Sequence, residues 1–144
     1  MKDNIVLIGM PGVGKSTVGV ILAKMIGYQF TDADLLIQKQ EGKLLHEIIA
    51  EKGTDGFIEI EERVNASIEA SHTIIATGGS VVYGKKAMEH LSRIGTVVYL
   101  KVPYDTLEKR LEDIKGRGVV LKEGQTLRTL YDERTPLYEK YADI

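Results

Sequence analysis

Nine residues near the N-terminus, Gly9-Met-Pro-Gly12-Val13-Gly14-Lys15-Ser16-Thr17, combine three glycines, a lysine and two hydroxyls behind a short apolar run, Asn4-Ile-Val-Leu-Ile8. The spacing is G-x-x-x-x-G-K-[ST] between a strand pattern and a helix pattern. Glycines admit positive φ, so successive backbone N–H groups can turn inward around phosphate oxygens. The helix that follows adds its N-terminal N–H groups and the positive end of its dipole. Lys15 then reaches the β- and γ-phosphates, and Ser16 can ligate Mg²⁺. A plain glycine turn needs neither Lys15 nor Ser16 at those places, so the loop reads as a cradle for a nucleoside triphosphate.

Other residues could supply an acceptor site. Tyr28-Gln-Phe-Thr-Asp32-Ala-Asp34 ends a second apolar run with two carboxylates at i and i+2, which share a side while the chain is extended. Like charges that close want a cation, a proton or a hydrogen-bonding partner. Asp32 suits the hydration shell of Mg²⁺, and Asp34 suits a substrate hydroxyl whose deprotonation it would favour. Helix capping is the competing reading for one of the two. Thr77-Gly78-Gly79-Ser80 allows close backbone approach to a ligand, though alone it reads as a turn. Lys115-Gly-Arg117-Gly118 reads as a flap whose arginine closes over phosphates, or as a solvated loop. Arg110 either flanks the nucleotide or is a surface charge. Arg134, in Asp132-Glu-Arg-Thr-Pro-Leu-Tyr138, offers a planar fork for a carboxylate, or an intrahelical pair with its neighbours.

The elements that must position these residues alternate. Apolar runs at Ile5–Ile8, Tyr28–Thr31, Thr73–Ala76 and Thr96–Leu100 read as strands. Helical patterns lie at Thr17–Ile26, with Val18, Ile21, Leu22 and Met25 on one face, and at Leu35–Gln40 and Leu44–Glu51. Others lie at Phe57–Ala70, with Phe57, Ile60, Val64 and Ile68 on one side, at Lys85–Arg93, at Tyr104–Ile114 and at about Gln125–Tyr141. Alternation implies an α/β fold with a largely parallel sheet. Ligands then sit beyond the carboxyl ends of the strands, where the Gly9, Asp32 and Gly78 segments fall. The final residues, Tyr141-Ala-Asp-Ile144, read as entry into a further strand, and the expectation is a truncated form lacking an edge strand; fraying of the last residues is the alternative.

With 144 residues, 43% hydrophobic and 28% charged, the chain fits one globular domain. A net charge of −2 does not point to nucleic acid or a membrane surface. Cysteine is absent, which excludes disulfides and thiolate chemistry. No apolar run is long enough for a transmembrane helix, and no signal-peptide pattern opens the chain. A cytoplasmic monomer acting on a small molecule is the expectation. The size favours a kinase with a small acceptor over a motor.

Taken in order, GMPGVGKST, FTDAD followed by a helix, GF-x-x-x-E (Gly56, Phe57, Glu61), ATGGS, the arginine-bearing flap and ERTPLYEKYAD resemble the shikimate kinase family over essentially the whole chain. The resemblance implies a P-loop nucleoside-monophosphate-kinase-like three-layer sandwich. Its substrate-binding helices would span about residues 33–70 and its lid about residues 113–121. It also implies ATP- and Mg²⁺-dependent phosphorylation of the 3-hydroxyl of shikimate, in aromatic amino-acid biosynthesis. On that resemblance Gly12, Val13, Gly14, Lys15, Ser16 and Thr17 hold the nucleotide, with Lys15 on the transferring phosphate. Ser16 and Asp32 serve the metal. Asp34, Gly78, Gly79 and Arg134 bind the acceptor, Arg134 by its carboxylate. Arg117 is the lid arginine and Arg110 lies near the adenine.

The chain departs from the family pattern at three places. Ser80 stands where a third glycine is usual, Gly118-Val-Val120 follows Arg117 in place of Pro-Leu-Leu, and Ile58 replaces an arginine that helps clamp the shikimate carboxylate. At ~100° per residue Ile58 lies outside the Phe57–Ile60–Val64–Ile68 stripe, and Arg63 is ~140° away from it. Loss of one charge-assisted clamp, ~1.5–3 kcal/mol, weakens binding on the order of ten- to several-hundred-fold. It also leaves Glu61 without an arginine, facing an anionic substrate. Two alternatives follow: a kinase of the same fold for a less anionic hydroxy compound, or a nucleotide-binding module without transfer. Retention of Lys15, Asp32, Asp34 and Arg117 argues for the enzyme. A nucleotide monophosphate as acceptor would need more cations than Arg134 and its neighbours offer.

Overall fold

The computed structural model describes residues 2–112 and 126–144, with the backbone alone at 110–112. The lid expected over residues 113–121, with Arg117, lies outside the described residues, as does the side chain of Arg110. Four strands form one parallel sheet: β1 (Asn4–Ile8), β2 (Gln29–Asp32), β3 (Thr73–Ala76) and β4 (Gly95–Tyr99), in the order β2-β3-β1-β4. Ile5 faces Ile74 on one side and Thr96 on the other; Phe30 also faces Ile74. Six helices connect or follow the strands: α1 (Lys15–Ile26), α2 (Ala33–Glu41), α3 (Leu45–Ala66), α4 (Lys85–Ile94), α5 (Tyr104–Glu112) and α6 (Leu127–Tyr141). Among the described residues no helix is long and apolar enough to cross a membrane.

The period of two along each strand divides the core between the faces of the sheet. Val6, Ile8, Ile75 and Val97 join Met88 and Leu91 of α4, Leu107 of α5, and Leu130 and Tyr138 of α6 on one face. Leu7 and Ile74 join Ala23 of α1 on the other, with Ile5, Phe30 and Val98 beside them. Both faces of β1 are therefore covered, which explains its unbroken apolar run.

Helix α1 turns most of its apolar stripe outward: Val18 is 40%, Ile21 54% and Met25 77% exposed, while half-buried Leu22 packs on the core. The buried residues are Lys15, Gly19 and Ala23. Small residues face the sheet because the helix lies close against it; a Cβ on Gly19 would sit 2.6 Å from the ring of Phe30.

The two helical patterns read at Leu44–Glu51 and Phe57–Ala70 merge into α3, which is broken at Gly53 (φ 75°, ψ 174°). That region of backbone space is essentially restricted to glycine. The break aims Leu45 and His46 at the rim of a cavity and Phe57 and Glu61 at its wall. Gly53→Ala is expected to destabilise the fold by about 1–3 kcal/mol, read as a lower urea midpoint with unchanged slope. The added methyl would meet no atom within 4 Å, so the loss reports backbone strain alone.

Helix α6 runs through Pro136. Beyond it, Ile144 enters parallel pairing on the outer edge of β4: its N–H donates to Val97 O (3.2 Å) and its carbonyl accepts from Tyr99 N–H (3.0 Å).

Candidate active site

A cavity of about 340 Å³ opens at the carboxyl ends of β1, β2 and β3, a volume in the range of small-molecule sites. Gly12, Gly14, Lys15, Ser16 and Thr17 form one wall, and Val13 anchors the loop by burying its side chain in the core. Gly14 has φ 93° and stands directly before α1. Lys15 is nearly buried, and its Nζ donates to the carbonyls of Gly9 (2.7 Å) and Met10 (2.9 Å). The ammonium is thus held at the mouth of its own loop, where an arriving phosphate would meet it.

Asp32 joins the two readings given to it. Its Oδ1 accepts from the backbone N–H groups of Asp34 (2.9 Å) and Leu35 (3.3 Å), capping α2. Its Oδ2 accepts from Ser16 Oγ (2.9 Å). Capping fixes the carboxylate so that its second oxygen points at Ser16. No group of three or more His, Cys, Asp or Glu side chains forms a metal cluster among the described residues. One hydroxyl and one carboxylate nonetheless fit Mg²⁺, which is commonly held by one or two protein groups, substrate phosphates and water. Asp34 is not in extended chain, as the i, i+2 reading assumed, but in the first turn of α2. It still reaches the cavity, because the chain turns into the helix between the two aspartates.

The Gly78-Gly79 segment forms the floor by close approach. A Cβ on Gly78 would sit 2.6 Å from Asp34 Oδ1 and 2.8 Å from Glu61 Oε2. A Cβ on Gly79 would sit 2.6 Å from Pro11 Cδ and 3.0 Å from Arg134 Nη1. Side chains at either place would displace the groups that line the cavity.

Arg134 is 1% exposed and lines the cavity, and it also bears on Tyr138 one turn later, the intrahelical neighbour of the competing reading. Its guanidinium lies 5.3 Å from the centroid of the Tyr83 ring, and Nε donates to Tyr83 Oη at 3.4 Å. Glu133 accepts from Tyr83 Oη (3.0 Å). One turn later, buried Tyr138 donates its hydroxyl to the carbonyl of Gly79, tying α6 to the cavity floor. Burial keeps this phenol protonated, raising its pKa well above the usual range.

Two expectations change here. Ile58 does not line the cavity; half-buried, it packs against Ile37, Ile48, Phe57 and Val64. Glu61, expected to face the substrate without an arginine, does line the cavity, but as a buried wall residue, 2% exposed. Its Oε1 accepts from Ser80 Oγ at 2.5 Å. Burial pushes its pKa up to about 8; the Ser80 hydrogen bond, Arg134 and Lys15 oppose the shift, and neighbouring Asp34 adds to it. The signal available in the sequence was spacing: Phe57, Glu61 and Val64 fall at i, i+4 and i+7, one helical face. The polar triplet Glu61-Glu62-Arg63 hides it.

Comparisons with known proteins agree with this geometry. The family model of shikimate kinase matches residues 11–144. A shikimate kinase of Clostridium botulinum (strain 657 / Type Ba4) is 43% identical over 147 residues, covering 99% of this chain and 86% of the relative. One from Nostoc punctiforme is 40% identical over 145 residues, covering 98% of this chain and 78% of the relative. Among solved structures, the shikimate kinase of Acinetobacter baumannii in complex with shikimate superposes with a TM-score of 0.88 at 34% identity, covering 99% of this chain and 82% of that one. That of Aquifex aeolicus superposes with a TM-score of 0.80 at 32% identity, covering 98% and 84%. Sequence match, superposition and cradle geometry converge, and the chain belongs to the shikimate kinase family.

Proposed function

We propose that this chain transfers the γ-phosphoryl group of ATP to the 3-hydroxyl of shikimate, giving shikimate 3-phosphate and ADP. The observation that carries the reading is the convergence of Lys15, Asp34 and the buried Arg134 on one cavity behind a phosphate-binding loop. The backbone N–H groups of residues 12–17 bind the phosphates, and Lys15 follows the negative charge that spreads over the transferring group. Ser16 and Asp32 would hold Mg²⁺, which would offset the negative charge of the phosphates. Asp34 accepts the hydrogen bond of the attacking hydroxyl and takes its proton as the new O–P bond forms and the bond to the β-phosphate oxygen breaks. Arg134 orients the acceptor by its carboxylate, with Tyr83 holding the guanidinium in place.

The alternative of a less anionic acceptor rested on the arginine clamp missing at Ile58, and Arg134 still offers the cavity a buried guanidinium. A buried guanidinium favours an anionic acceptor.

Incubation with ATP, Mg²⁺ and shikimate, followed by mass spectrometry, is expected to yield phosphorylated shikimate. In Arg134→Leu the KM for shikimate should rise roughly ten- to 150-fold, the loss of one charge-assisted hydrogen-bonding group, while the KM for ATP stays within about twofold. ATP binding without any phosphorylated product would overturn the reading.

A further inference from the structure

Glu61 is a buried acid that the transfer steps above do not use. It is 2% exposed and lines the cavity. Only one of its oxygens is engaged: Oε1 accepts from Ser80 Oγ at 2.5 Å, and Oε2 is buried with no hydrogen-bond partner among the described residues. That second oxygen lies within 3 Å of the position a Gly78 Cβ would take, as does Asp34 Oδ1. Gly78 therefore leaves open the space onto which both acids look. One turn earlier on α3 stands Ile58, packed into an apolar cluster, so the helix itself brings Glu61 no cation at that position. The charged groups that bear on Glu61 come from other elements: Asp34 of α2, which opposes its ionisation, and Arg134 of α6 and Lys15 of α1, which favour it.

A carboxylate with one bare oxygen, walled from water and beside a second carboxylate, is unfavourable. A neutral carboxyl in the same place is a donor awaiting an acceptor atom. Ser80 decides which oxygen carries the proton: its hydroxyl occupies Oε1, leaving Oε2 to hold hydrogen and to aim it into the cavity.

We infer that Glu61 is a specificity-determining residue: its neutral carboxyl, steered by the Ser80 hydroxyl, donates from Oε2 to the acceptor, so that an anionic acceptor is bound while Glu61 holds its proton and repelled once the proton is lost. The inference rests on the proposed acceptor, shikimate. It assigns Ser80 a task that a glycine there could not perform, and it accounts for an acidic wall in a site that takes an anion.

Calorimetric titration of shikimate into the full chain between pH 6 and 9.5 tests it, with turnover assayed alongside. Burial places the transition of Glu61 at about pH 8. If only the neutral form binds, the apparent Kd is the intrinsic Kd divided by the neutral fraction, a rise of roughly tenfold between pH 7 and pH 9. In Glu61→Gln, which keeps a donor and cannot ionise, the Kd should change less than about twofold over the same range. Infrared difference spectra of wild type minus Glu61→Gln should show a protonated-carboxyl band at pH 7 that disappears with the same midpoint. A flat wild-type profile, an equal rise in Glu61→Gln, or no such band at pH 7 each overturns the assignment. Binding with the expected pH dependence but without turnover leaves the assignment standing and overturns the proposed activity alone. No binding of shikimate at any pH, with the band present, overturns shikimate as the acceptor and with it the donor role of Oε2.

Discussion

Lys15→Ala is expected to lower kcat for phosphoryl transfer by about a hundred- to a thousandfold, the cost of removing one preorganised charge from a developing anion. The side chain is well placed for so large an effect. It is 8% exposed, so its charge acts where water screens it poorly. The carbonyls of Gly9 and Met10 hold its ammonium at the cavity wall, so the charge is positioned for the γ-phosphoryl oxygens as they gain negative character, with little reorganisation at the moment of transfer. Single-turnover measurement with saturating ATP isolates the step from product release. The circular dichroism spectrum of the variant should match that of the parent, because the loop's path is set by its glycines and by Val13 in the core. A kcat within tenfold of the parent would remove Lys15 from the transfer step.

Asp34→Asn is the second large effect, a fall in kcat of about 10²- to 10⁴-fold with little change in the KM for shikimate. Asparagine has the same shape and can still accept a hydrogen bond from the attacking hydroxyl, but it cannot take the proton. The position tolerates little else, because Asp34 Oδ1 sits against the Gly78 backbone. The substitution has a signature beyond rate. The charge of Asp34 helps to keep Glu61 protonated, so its removal should shift the infrared titration of Glu61 to lower pH. A reduced kcat without that shift would separate the two acids; a shift without a reduced kcat would leave the proton with another acceptor.

The phosphate loop was legible in the sequence because three levels agree there: a buried strand, a glycine spacing and a helix start. Asp32 was legible as a chemical group but not as a shared one. Its two oxygens serve α2 and Ser16 separately, and a residue type does not show how its lone pairs are divided. The stripe of Val18, Ile21, Leu22 and Met25 left its direction open, because periodicity reports a face without saying which way it turns. Gly19 and Ala23 decide that, since only they admit the sheet so closely. Ile58 misled for a related reason. A sequence shows the type missing from a pattern, but the packing of Ile58 with Ile37, Ile48, Phe57 and Val64 depends on the break at Gly53. The burial of Glu61 stayed hidden because it is set by partners distant in the chain, here Ser80, Asp34 and Arg134.

The strand order also fixes when the site can come into being during synthesis. Strand β1 is made first, yet both of its neighbours come late: Ile5 pairs with Ile74 and with Thr96. At translation rates of roughly 5–20 residues per second, a ribosome takes about 3 to 14 seconds to travel from Ile5 to Ile74. Through that interval the apolar run Asn4–Ile8 has no strand to join, and the phosphate loop behind it has no sheet to stand on. The cavity closes later still, when Arg134 and Tyr138 of α6 reach Gly79. The nucleotide cradle is thus encoded ahead of β3 and β4 and assembled only once α6 follows them, which leaves the nascent chain dependent on whatever shields an unpaired apolar strand in the meantime.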